Sequence, residues 1–364
     1  MMPRLLIICQ LLVGFILALA HATPFNVVHP NRTLIVLSAP SVWDDNYRED
    51  FLEIIAFQIE LAKTIHEHEN VVIIADKHTM PYLDGRSARV KKRLPYDALI
   101  EANVYDVNIN DFAPIGFKQL TKFIYRTDNL ADMASSQIDK SMTRFLNDHR
   151  VKVDKREQDM VLSGEDVIHN GVNKALVSDN VILRNAGRLP DWAMMIKLLN
   201  AFKKVLVVEN PLNGTRLRFD DVMGFIDEQI LAVSPIEADV RERLETAVKK
   251  KFRSDLSLID LPLGGAPNDA GNCGIYTSVI STNKYVYVPV FGSDPSNWKF
   301  GYSTMTDRMV VHLLEANSRR KIIPVNIPRA LCRRGLSLRS IAWSVRGYAA
   351  DNIVNHARQT ALRH

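Results

Sequence analysis

The chain has 364 residues, 47% of them hydrophobic and 24% charged, and a formal net charge of +5. So small a charge argues against a dedicated nucleic-acid binder and against a highly acidic mineral-binding matrix protein. Three cysteines are too few for a disulfide scaffold.

The first segment reads as a leader. MMPRLLIICQLLVGFILALAHATPF carries one arginine, an apolar run from Leu5 to Ala20, and Ala20 and Ala22 in an A-x-A arrangement before Thr23. This predicts a secretory signal peptide over residues 1–22. The run is short for a membrane span of ~20 residues, and no later stretch is as long and apolar, so the mature protein is expected to be extracellular and off the membrane. Removal of Arg4 with the leader leaves a net charge of about +4. Cys9 also leaves, and the remaining Cys273 and Cys332 can pair in an oxidising compartment. Asn31-Arg-Thr and Asn213-Gly-Thr match the N-glycosylation acceptor.

The mature residues allow either two domains or one large domain of repeated units, and no low-complexity linker divides them. A rhythm of β-branched run, amphipathic helix and β-branched run recurs along the chain. TLIVLS (33–38) precedes the helical pattern YREDFLEIIAFQIELAKTIHEHE and then VVIIAD (71–76). GRSARVKKRL (85–94), the densest basic run, reads as a solvated loop whose Lys91-Lys92-Arg93 has the look of a processing site. Further on, DWAMMIKLLNAFKK precedes VLVVE, and TDRMVVHLLEANSRR precedes KIIPVNI. Such alternation predicts an α/β fold with strands buried under helices. GLSLRSIAWSV (335–345) reads as a short apolar strand with Arg339 and Ser340 in its middle, either aimed at a polar pocket or lying along an exposed edge.

The usual chemical signatures are missing. His66 and His68 are two apart on a helical pattern and point to different faces, so they are not a metal pair. There is no phosphate-cradling glycine pattern, no G-x-S-x-G elbow and no C-x-x-C pair, and no metal or cofactor is expected.

Five segments in order carry a resemblance: SAPSVWDDNYREDFLEIIAFQIELAKTI, VNINDFAPIG, MVLSGEDVIHNGVNKALVSDNVILRN, FDDVMGFIDEQILAV, and YTSVISTNKYVYVPVFGSDP with the distal GLSLRSIAW. Together they resemble the agmatine deiminase and bacterial-type peptidylarginine deiminase family. NDFAP (110–114) and YVYVPVFG (285–292) carry the likeness best. The resemblance implies a single pentein-type α/β propeller over residues 23–364, five ββαβ-like modules around a polar channel. It also implies a chemistry in which a cysteine thiolate attacks a guanidinium, a histidine protonates the departing ammonia, and two carboxylates hold the cation.

This chain departs from that machinery at the reacting positions. The family's G-G-x-x-H-C-x-T places its cysteine at Ser340 and its neighbouring histidine at Arg339. G-H-x-D appears as Gly224-Phe225-Ile226-Asp227, and E-G-G-N as Ser163-Gly164-Glu165-Asp166, leaving Asp111 and Asp227 as matching acids. Phenylalanine transfers no proton, and a serine hydroxyl is far less acidic than a thiol. Cys332 precedes the motif strand and falls in the wrong register to substitute. Gly164, Gly171, Gly224, Pro289, Gly292 and Gly335, which shape the scaffold, are kept. The expectation is a secreted deiminase scaffold without deiminase activity, its pocket bounded by Asp111, Ser163, Phe225, Asp227, Arg339 and Ser340. Its partner would be an unidentified small molecule or extracellular protein. The alternatives are an enzyme repurposed to another small molecule in that pocket, or a structural matrix component.

Overall fold

The computed structural model describes residues 25–27, 32–116, 120–127, 130–154, 159–210, 218–265 and 273–362. The predicted leader and both glycosylation acceptors, Asn31 and Asn213, lie outside them. Among the described residues no helix is long and apolar enough to cross a membrane.

Thirteen strands are described: β1 Leu34–Ser38, β2 Asn70–Ala75, β3 Leu99–Glu101, β4 Val167–His169, β5 Lys174–Ser178, β6 Lys204–Val208, β7 Met223–Phe225, β8 Ile230–Val233, β9 Ser257–Asp260, β10 Ile280–Ser281, β11 Tyr285–Val290, β12 Lys321–Asn326 and β13 Ala342–Val345. Six helices of 12 or more residues accompany them: α1 Phe51–His66, α2 Asp132–Asp148, α3 Asp191–Phe202, α4 Ala238–Phe252, α5 Thr304–Asn317 and α6 Tyr348–Ala361. Each Val/Ile run of the sequence is a strand, and each three-and-four periodic run is a helix.

One pairing pattern repeats. An antiparallel pair is followed by a helix and then a parallel strand: β4 with β5, α3, β6; β7 with β8, α4, β9; β10 with β11, α5, β12. A fourth unit is assembled from both ends of the chain, since β13 pairs antiparallel with β1, and α1 leads to the parallel β2 and then β3. A fifth has the same order in reduced form. Ile115 bridges Thr121 antiparallel, α2 follows, and Thr121 bridges Asp154 in parallel.

The five units close a ring through the segments that begin them. The Asn110 amide donates to the Ser340 carbonyl at 3.0 Å, and the Arg339 amide to the Ser278 hydroxyl at 3.2 Å. β4 lies against β7. Two glycines let backbones touch elsewhere: a Cβ on Gly164 would fall 1.9 Å from the Asn110 carbonyl oxygen, and one on Gly224 2.1 Å from that of Thr277. This is the pentein architecture expected from the sequence.

Period-2 alternation divides β1 between two cores. Ile35 and Leu37 pack with α1, while Leu34 and Val36 pack with α2 and α6, so this sheet is covered on both faces. Cys273 and Cys332 are bonded, with Cα atoms 4.8 Å apart. One local expectation is corrected: strand structure begins at Ala342, and Arg339 and Ser340 precede it. Gly335 has a φ of +75°, and reciprocal bonds between Ser337 and Ser340 turn the backbone away from a ladder.

Candidate functional site

Where the sequence places the remnants of a guanidinium pocket, the structure has a buried ion network. Asp111 sits in the helical turn Ile109–Phe112 and is 4% exposed. Arg218 meets it as a two-pronged fork, Nη1 donating to Oδ2 at 2.7 Å and Nη2 to Oδ1 at 2.5 Å. The same guanidinium donates from Nε to Asp220 Oδ1 at 2.9 Å and from Nη2 to Oδ2 at 3.1 Å. One cation therefore lies between two buried carboxylates, each engaged through both oxygens, a geometry suited to a planar guanidinium.

The network extends on both sides. Asp220 Oδ2 lies 3.6 Å from Arg339 Nε, and Arg339 Nη2 donates to the Val167 carbonyl at 3.0 Å. Arg184 bonds Asp166 and lies 3.5 Å from Glu165. Burial raises the Asp111 carboxyl, and Arg218 opposes the rise. Asp166 and Asp221 are each pushed up to about 7, by burial first and then by their neighbours Glu165 and Asp220. Burial would lower the Arg218 guanidinium, but Asp111 and Asp220 outweigh it and hold the group charged. The result is a tightly compensated interior in place of an open cation site.

The sequence-marked residues are distributed unevenly about this network. Ser163 joins it, donating from Oγ to the Asp111 carbonyl at 3.4 Å and capping the turn Gly164–Asp166. Ser340 is fully buried, and its hydroxyl accepts from the Ser337 amide and donates to the Ser337 carbonyl, both at 3.0 Å. Its hydroxyl thus bonds backbone within its own turn. Phe225 and Asp227 do not join Asp111. In β7 alternation turns Gly224 toward Thr277, so Phe225 faces the opposite way, into a core with Phe219, Leu231 and Phe252. Asp227 lies beyond the strand in the hairpin turn, accepting from the Gln229 amide at 2.8 Å and the Ser318 hydroxyl at 3.4 Å. Asp111, Ser163 and Arg339 are brought together; Phe225 and Asp227 are placed elsewhere.

The profile of Porphyromonas-type peptidyl-arginine deiminases matches residues 29–345. The chain belongs to that family. Among solved structures it is similar to an agmatine deiminase of C. jejuni, with a TM-score of 0.66 and 20% identity over 88% of this chain and 96% of the other. The agmatine deiminase of Enterococcus faecalis gives a TM-score of 0.61 and 14% identity over 90% and 98%. A dimethylarginine dimethylaminohydrolase gives 0.50 and 12% over 86% and 100%. At these identities the structures establish the shared fold alone. A comparison with curated protein sequences gives no match.

Sequence reading missed Arg218, Asp220 and Arg184, which carry the network. The run Arg218-Phe-Asp-Asp was legible as a cation beside two acids, but its partner Asp111 is 107 residues away. The cavity nearest the network is on the far side of Arg339. It holds about 390 Å³ and is bounded by Asn110, Arg339, the hairpin turn at Gly171, Ser281, and the end of β13 with the start of α6.

Proposed function

We propose that this protein is a deiminase-family member that no longer hydrolyses guanidinium groups and serves as a secreted binding protein. The observation that carries the reading is the Arg218 guanidinium, held on Asp111, one of the acids that the family resemblance assigns to a substrate cation, and on Asp220 beside it. An internal guanidinium on the same chain is present at a local concentration that free ligand does not match. The chemistry also lacks its parts. Ser340 would have to attack a guanidinium carbon, expel ammonia and then be released by water, yet its hydroxyl is fully buried and bonded to the Ser337 backbone, with no base among those partners. Phe225 offers no proton to the leaving ammonia, and Ser163 no charge to the substrate.

The test is ammonia release. Purified protein incubated with agmatine, arginine or arginine-containing peptides is expected to release none above background. Robust deimination by the unaltered protein would overturn the reading.

A further inference from the structure

Beyond Arg339 the chain builds a second, differently charged site. The cavity there has the size of a small-ligand pocket, within the usual range of roughly 300–1,000 Å³. Among the described residues that line it are Lys152, His169, Arg339 and Arg346, and none is acidic. A site evolved to hold a cation would carry the opposite sign.

Three further features favour an anion. The first turn of α6, a 14-residue helix, borders the cavity with Gly347, Tyr348 and Ala349, and the leading N–H groups of a helix have no intrahelical acceptor. Asp351 in that turn is not among the lining residues. One donor on a cavity residue, Asn110 Nδ2, is buried without a hydrogen-bond partner, whereas Arg339 Nε faces the Asp220 carboxylate at 3.6 Å. Arg346 is held toward the cavity by a bond from Nη1 to the Gly171 carbonyl at 3.2 Å. Burial lowers the pKa of Arg346, while Glu69 and Glu228, neither of which lines the cavity, raise it. His169 Nδ1 accepts from the Gly171 amide at 3.2 Å, and burial, with Arg339 and Arg346 beside it, lowers its pKa to about 3, so the ring is neutral and the charge of the site comes from Lys152, Arg339 and Arg346. On the apolar side stand Ile115, Leu120 and Trp343, and at the rim Lys152 Nζ lies 5.6 Å from the centre of the Tyr348 ring.

We propose that this cavity binds a small organic oxyanion, a carboxylate or a phosphate ester, with its charged group between Arg339, Arg346 and the start of α6 and its apolar part against Trp343 and Leu120. The inference supplies a ligand class for the binding role proposed above and rests on that reading for its biological sense. Its test reads occupancy and not turnover, so the two fail separately. Ammonia release would sink the non-catalytic reading and leave anion binding standing, whereas a silent protein that binds no anion would do the reverse.

The experiment is calorimetric titration of the full chain with three probes of similar size: phenyl phosphate, benzoate and the cation benzamidine. Saturable binding of at least one anion and none of benzamidine is expected, and the tighter anion identifies the head group. Arg346→Gln should weaken the anion at least about tenfold, the loss expected for one charge-assisted hydrogen bond. Lys152→Met, at an exposed position that does not threaten folding, should weaken it by a smaller factor and reduce its salt dependence. Absence of anion binding, equal binding of benzamidine, or anion binding unchanged by both substitutions would overturn the proposal.

Discussion

Arg218→Ala removes the cation that Asp111 and Asp220 share. Asp111 is 4% exposed and Asp220 fully buried, so the substitution leaves two desolvated carboxylates facing a gap. Breaking a buried pair by deleting one partner costs about 3–5 kcal/mol. For a folded chain of roughly 340 residues with an unfolding entropy of about 2.1 cal/mol/K per residue, that loss lowers the melting temperature by about 4–7 °C. The gap has the shape of a guanidinium. Methylguanidinium at ten times its Kd should return about 1.4 kcal/mol, or about 2 °C, to Arg218→Ala and nothing to the unaltered protein. Adding Asp111→Asn should cost less than the two substitutions summed, because it removes one of the stranded charges. Differential scanning calorimetry with and without methylguanidinium reads all three effects. A loss below about 1 kcal/mol, or equal stabilisation of both proteins by the ligand, would refute the account of a guanidinium clamped between two carboxylates.

Asp166 and Asp221, raised to about 7 in the fold, keep their protons over a range where the unfolded chain has lost them. Their contribution is complete below about pH 4 and is lost as pH rises through about 7, so stability should fall from pH 5 to pH 8, and Asp166→Asn with Asp221→Asn should flatten the slope. Cys273 and Cys332 should resist alkylation without reductant, and their double replacement by serine should cost up to about 4 kcal/mol, the loop entropy of a 59-residue separation; two freely labelled thiols would contradict the bond. Ser340→Cys alone should release no ammonia from agmatine, because the other reacting positions stay empty. Secreted material should begin near Thr23 by N-terminal sequencing and lose mass on glycosidase treatment.

Local pattern foretold what local pattern determines. Strands such as β1 and β2, buried on both faces, announce themselves as unbroken Val/Ile runs, and α1 and α5 as apolar residues three and four apart. The fifth unit, implied by the resemblance, has no rhythm of its own in the sequence because its pairing has shrunk to bridges at Ile115, Thr121 and Asp154, too short for a periodicity. Residues 335–341 have the Leu and Ile pattern of a strand, but Ser337 and Ser340 satisfy each other's backbone locally. The site was legible in what it had lost and opaque in what it had gained. Substitutions at Ser340, Phe225 and Ser163 stand out against the resemblance, whereas the clamp of Arg218 on Asp111 joins positions that only the closed ring brings together.

The sheet made from both ends of the chain imposes an order on synthesis. β1 lies about 310 residues before its antiparallel partner in β13. At typical elongation rates of about 5–20 residues per second, the ribosome needs roughly 15–60 s to deliver the partner. Throughout that interval β1, apolar on both faces, has an open edge that a second nascent chain can pair with. The ring therefore locks only as the last segments emerge. A premature stop anywhere before Ala342 would leave that edge open for good, so nearly full-length truncations should aggregate as readily as short ones.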